Sequence, residues 1–121
     1  MGTTNEIMLY DDDFARLDEI KKFIDENLAG NLHLENLSQR FSISTATLRR
    51  HFRSIYKESI TDYIRQCRMK QAMILTMNHS FPVGQIAITV GYNDRTAFTR
   101  AFKKSFGKTP FAILRNGLGG C

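Results

Sequence analysis

Residues 86–110 read IAITVGYNDRTAFTRAFKKSFGKTP. Ile86 to Val90 makes a short apolar helix, Gly91 permits a tight turn, and Asp94 stands where a carboxylate caps the helix that follows. In that second helix Phe98, Ala101, Phe102 and Phe106 recur every three or four residues, which places them on one buried face. Arg95, Thr96, Thr99, Arg100, Lys103 and Lys104 take the rest of the surface, with no carboxylate after Asp94. Helix, turn, helix with a cationic outer face is the grammar of a helix-turn-helix. Gly107 supplies a left-handed residue at the helix end, and Thr109 followed by Pro110 opens a further short helix.

The same design occurs upstream. Leu34, Leu37 and Phe41 mark a short helix with His33 at its capping position, and Ser42-Ile43-Ser44 makes the turn. Ser44 caps a helix over Thr45 to Ile55, buried through Leu48, Phe52 and Ile55, whose other face holds Thr45, Ala46, Arg49, Arg50 and Arg53. Leu37 and Phe41 correspond to Ile86 and Val90, each pair 49 apart. Leu48, Arg50, Phe52 and Tyr56 correspond to Phe98, Arg100, Phe102 and Phe106, each pair 50 apart, so the second turn is one residue longer. Two copies of a helix pair form a duplicated module, not a solenoid.

Between the copies, Ser59 and Asp62 resemble a capping box, and the helix they open is expected to run from Ile60 to about Asn78. Tyr63, Ile64, Cys67, Ala72 and Leu75 form an apolar stripe widened by Met69, Met73, Ile74 and Met77, which reads as packing surface. At about 1.5 Å per residue such a helix is about 28 Å long, close to the roughly 34 Å turn of a DNA duplex. That length suits a spacer between two reading heads.

Upstream again, Phe14, Leu17, Ile20, Phe23, Ile24 and Leu28 trace an amphipathic helix ending near Asn27 to Gly30, and Met1 to Tyr10 is expected to be loose. The expected organisation is all-α with about seven helices. An N-terminal segment and first helix (1–31) packs on a first helix-turn-helix (32–58). A linker helix (59–79), a second helix-turn-helix with closing helix (80–116) and a disordered tail (117–121) follow.

Charge narrows the function. Residues 1–31 hold 3 basic and 8 acidic side chains, whereas residues 32–121 hold 14 basic and 4 acidic, so the overall +5 hides a basic body behind an acidic start. A polyanion such as nucleic acid, or an anionic membrane surface, suits that sign, and a basic helical module docking an acidic protein is the alternative. No apolar run approaches the roughly 18 residues of a membrane span. Cys67 and Cys121 are too few and too far apart for a disulfide framework or a zinc site, and suit a cytoplasmic chain. His33, His51 and His79 are isolated, with no HExxH spacing, no nucleophile beside a base and no glycine-rich phosphate loop, so neither an enzyme, a metal site nor a cofactor is expected.

From about Leu32 to Arg115 the chain resembles the DNA-binding domain of the AraC/XylS family of bacterial transcription regulators. The resemblance is carried by Ile86-Ala87, by Gly91-Tyr92-Asn93-Asp94, by the run Phe98 to Pro110, and in the linker by Tyr63-Ile64, Arg68-Met69, Ala72 and Leu75. It implies two helix-turn-helix units whose second helices enter adjacent major grooves of double-stranded DNA, with RNA polymerase as a further partner of an activator. Carried over by position, Thr45, Ala46, Arg49 and Arg50 would read bases in the first unit, and Arg95, Thr96, Thr99 and Arg100 in the second. Arg53, Lys103 and Lys104 would hold phosphates, a role that also suits Thr96 and Thr99. Lys57 departs from the family, which usually has glycine there, and Ala46 offers a base only a methyl group. Family members commonly carry a sensing or dimerisation domain, and the roughly 30 residues before Leu32 are too few to form one. The chain therefore reads as a stand-alone regulator or as the excised end of a longer one.

Overall fold

The computed structural model describes residues 2–78 and 81–116, with side chains from Phe14 to Asn78 and from Phe81 to Arg115. The expected tail at 117–121 and His79 lie outside the described residues. Seven helices follow in order: α1 (Gly2–Glu26), α2 (Leu34–Phe41), α3 (Thr45–Tyr56), α4 (Ile60–Met77), α5 (Val83–Thr89), α6 (Arg95–Phe106) and α7 (Pro110–Asn116). No strand occurs among the described residues, so the chain is all-α as expected. Contacts divide it into two compact units, Met1–Asn27 with Asn31–Ile64, and Leu28–Gly30 with Arg65–Cys121.

The first unit closes its core with one apolar stripe from each helix. Leu17, Ile20 and Ile24 of α1, Leu37 of α2, and Leu48 and Phe52 of α3 are all fully buried, and Ile60 and Ile64 of α4 join them. The ring of Phe52 lies 4.7 Å from that of Tyr56 and 5.6 Å from that of Tyr63, a tilted aromatic cluster that adds geometric preference to area burial. One expectation is corrected: α1 already runs from Gly2, where a loose segment to Tyr10 was expected. Between Thr3 and Leu28 there is no glycine or proline, so a helix nucleated where Leu17, Ile20 and Ile24 pack extends outward at one hydrogen bond per residue.

In the second unit Met69 and Ala72 of α4, Val83, Ile86 and Ala87 of α5, Val90, and Phe98 and Phe102 of α6 form the buried cluster, with Ile113 and Leu114 of α7 packed against it. Here the expected apolar faces are narrower. Phe106 is 38% exposed, Ile74 48% and Met77 45%, while the fully buried Thr76 takes a core position. At 100° per residue, 69, 72 and 76 lie in one narrow stripe, with 77 on its flank and 74 nearly opposite, so the core cannot reach all of them.

The duplication reaches further than the helix pairs. Leu17, Ile20 and Ile24 correspond to Met69, Ala72 and Thr76, each pair 52 apart and every member buried, so α4 serves the second unit as α1 serves the first. Backbone geometry repeats as well. The four described residues with positive φ are Ser42 (54°) and Lys57 (63°) in the first unit and Gly91 (100°) and Gly107 (80°) in the second, at matching places. They end α2, α3 and α6 in a left-handed residue, and they turn the chain after α5.

Gly91 has a second constraint. A Cβ there would sit 2.3 Å from the Leu28 carbonyl oxygen and 2.8 Å from the Arg68 guanidinium, whereas one at Gly107 would meet nothing within 4 Å. Gly107→Ala should therefore cost about 1 kcal/mol, the left-handed penalty alone, and Gly91→Ala more than about 3 kcal/mol. Urea unfolding midpoints of the two variants measure the difference. Lys57→Gly should move the midpoint the other way, by about 0.5–1 kcal/mol, because it relieves a left-handed lysine.

Candidate nucleic-acid interface

α3 and α6 each start at a side-chain cap. Ser44, in an extended conformation, accepts a hydrogen bond from the Thr47 amide at 3.1 Å, and Asp94 accepts one from the Thr96 amide at 2.8 Å. Both caps satisfy an orphan amide of the first turn. Downstream of each cap, residues four apart are buried, Leu48 with Phe52 and Phe98 with Phe102. Helical geometry then turns the remaining positions to solvent.

On α3, Ala46, Arg49, Arg50 and Arg53 are exposed and Thr45 is half-buried. On α6, Arg95, Thr96, Arg100, Lys103 and Lys104 are exposed and Thr99 is half-buried. Arg95, Thr96, Thr99, Arg100 and Lys103 together line one open concavity along α6. Among the described residues, Arg49, Arg50, Arg53, Arg95, Arg100, Lys103 and Lys104 make no ion pair, so each face carries uncompensated positive charge. The candidates of the first unit share one face of α3, and Arg95, Thr96, Thr99, Arg100 and Lys103 share one face of α6, whereas Lys104 lies outside that concavity.

The two faces are related but unequal. At the 50-residue offset Arg50 matches Arg100 and Arg53 matches Lys103, but Thr45 matches Arg95, Ala46 matches Thr96 and Arg49 matches Thr99. Besides the shared cation at 50 and 100, the arginine fork sits one turn further along the helix in the first unit than in the second.

Sequence reasoning gave Arg68 no role beyond the family pattern, yet it organises the second turn. Its Nε donates to the Leu28 carbonyl at 3.1 Å and Nη2 to that of Gly30 at 3.3 Å, and its guanidinium lies 5.9 Å from the Tyr92 ring centroid. Burial lowers its pKa and Tyr92 opposes the shift, while arginine stays charged throughout. The available signal was a charged residue inside the apolar stripe of α4, between Cys67 and Met69. In the first unit Lys21 plays a comparable fixing role, its ammonium 4.6 Å from the Tyr56 ring and 5.3 Å from that of Tyr63, whose hydroxyl donates to Asp25 at 2.7 Å. Burial, and then Asp18, push the Tyr56 phenol upward, so the ring stays neutral beneath the lysine.

A pair of helix-turn-helix motifs, each with a capped second helix that is apolar inside and cationic outside, defines a DNA-binding domain of a transcription regulator. A family model described as a helix-turn-helix domain matches residues 37–116, and the chain belongs to that AraC-type helix-turn-helix family. It is 33% identical over 96 residues to the Msm operon regulatory protein of Streptococcus mutans, covering 79% of this chain and 34% of that protein, about a third of its length. It is 29% identical over 94 residues to the regulatory protein SoxS of Escherichia coli, covering 78% of this chain and 88% of SoxS. The solved DNA-binding domain of AdpA, in complex with a target DNA, superposes with a TM-score of 0.77 at 25% identity, covering 82% of this chain and 89% of that one.

Removing either cap tests the local construction. Ser44→Ala and Asp94→Ala should each cost about 1 kcal/mol of stability, within a range of roughly 0.5–2. Thermal or urea unfolding, together with amide exchange in the first turn of α3 or α6, reports the loss.

Proposed function

We propose that this chain binds double-stranded DNA with sequence preference as part of a bacterial transcription regulator, with α3 and α6 each entering its own major groove along one duplex. The observation that carries this reading is the matched pair of exposed, ion-pair-free cationic faces on capped helices, in a chain of this family. The structure of the similar AdpA domain in complex with a target DNA supports it. In each unit the arginines act as forks able to engage guanine O6 and N7 together, worth about 1–3 kcal/mol of discrimination per good pair.

Thr45, Ala46, Arg49 and Arg50, and Arg95, Thr96, Thr99 and Arg100, are the reading positions. Arg53, Lys103 and Lys104 hold phosphates and so set register. Because the forks stand at different turns of the two helices, the two blocks of the target differ in sequence, giving an asymmetric site. The regulator is cytoplasmic, acts as an activator through RNA polymerase and is not an enzyme. No helix among the described residues is long and apolar enough to cross a membrane, and no described cluster of His, Cys, Asp and Glu could hold a metal ion.

Selection of bound duplexes from a random pool should return two unlike blocks whose centres lie about 10–10.5 base pairs apart. A pool that stays unenriched would remove sequence reading and leave a basic module for acidic proteins. On the selected duplex, log affinity should fall against log salt with a slope of about −5 to −9 for roughly 6–10 phosphate contacts. Arg95→Ala should relax preference at one base step, costing about 1–3 kcal/mol there, whereas Lys104→Ala should weaken all sequences alike and flatten the salt slope by about 1. Uniform loss in both variants would take Arg95 off the list of readers.

A further inference from the structure

The second unit has an apolar groove that DNA reading does not use. Met69, Met73, Ile74 and Phe106 make its walls and Gln66 and Lys70 its rim, in an open cavity of about 450 Å³ between the first part of α4 within this unit and the end of α6. Ile74 and Phe106 are the exposed large side chains in it. None of these residues belongs to the cationic face of α6.

The first unit contains the same place already filled. By the correspondence of α1 with α4, Gln66 stands where the first unit has Phe14, Lys70 where it has Asp18, and Met73 where it has Lys21; Phe106 stands where it has Tyr56. Phe14 covers Tyr56 with ring centroids 6.4 Å apart, and Lys21 stacks on the same ring. The covering helix is acidic, with Asp18 near the stack. In the second unit no aromatic covers Phe106 from α4, the acid is replaced by Lys70, and Lys70 has no ion pair among the described residues. Relative to the first unit the covering aromatic is missing, and the Asp18 and Lys21 beside the ring become Lys70 and the neutral Met73, which leaves a single cation at the groove.

We propose that this groove docks an acidic segment of a partner protein that inserts an aromatic side chain between Met73 and Phe106 and sets a carboxylate against Lys70. The aromatic takes the place over Phe106 that Phe14, itself 47% exposed, takes over Tyr56, and the flexible methionines adapt to it. The carboxylate meets a lysine with no internal competitor, which selects acidic segments over basic ones. The groove shares no residue with the concavity along α6, so the proposal stands whether or not that face reads bases.

The test uses the full chain with labelled methionine and isoleucine methyl groups and a short synthetic acidic amphipathic peptide bearing one phenylalanine. The peptide should shift the methyl signals of Met69, Met73 and Ile74 saturably, and a copy with lysines for its acids should not. Ile74→Asp and Lys70→Glu should each weaken the peptide roughly tenfold while leaving DNA affinity and the unfolding midpoint unchanged. Gln66→Phe rebuilds the arrangement of the first unit; it should fill the groove from within, raise the unfolding midpoint and compete with the peptide. Absence of saturable shifts, equal binding of the acidic and basic peptides, or undiminished binding to Gln66→Phe would overturn the proposal. Dimerisation of the chain that Ile74→Asp abolishes would overturn it in favour of a second copy as the occupant.

Discussion

Burial of two side chains four residues apart, Leu48 with Phe52 and Phe98 with Phe102, is the constraint on which the rest of each unit depends. A helix that buries one such pair has its azimuth fixed, because rotation by even one position would expose a large apolar side chain and bury a charged one. Fully burying a phenylalanine or leucine is worth about 1.5–3 kcal/mol, far more than a surface arginine gains from any particular rotamer. The core therefore aims Arg49 and Arg53 on α3, and Arg95, Arg100 and Lys103 on α6. Their charge is left uncompensated by the fold, ready for an anionic partner.

The duplicated module shows how differently the same backbone can be realised. Both copies require a left-handed residue after the first helix and another after the reading helix. The second copy uses glycine in both, and the first uses Ser42 and Lys57. Serine and lysine are tolerated there because a single left-handed residue costs only about 1–2 kcal/mol and each still places its backbone N–H on a helical carbonyl, Ser42 on Ser38 and Lys57 on Arg53. At Gly91 no such exchange is open, since the Leu28 carbonyl and the Arg68 guanidinium occupy the space a side chain needs.

Much of this was legible in the sequence, and the reason is local. Caps at Ser44 and Asp94, the glycine end of α6, the threonine at the start of α7 and the four-residue spacing of Leu48 with Phe52 and Phe98 with Phe102 are all short-range features, and each appears where its pattern placed it. What was not legible depends on tertiary contact. Ile74 and Met77 look like core by composition and are half-exposed, because α4 offers its unit only the narrow stripe through Met69, Ala72 and Thr76, and Phe106 at the end of α6 is 38% exposed. The partners of Arg68 are about forty residues away, so no window of sequence contains them. The helical start of α1 follows from propagation out of the packed turns around Leu17, which the local preference of Gly2 to Tyr10 does not show.

The reading helices separate their two tasks by azimuth: inward positions hold the fold, and outward ones touch nothing that the fold needs. Ala46, Arg49, Arg95 and Thr96 are exposed side chains away from the core, so replacing any of them shifts folding free energy by no more than about 0.5 kcal/mol. Natural variation can explore new partners at those positions without first acquiring a compensating change inside, and a designer retargeting the molecule inherits the same freedom.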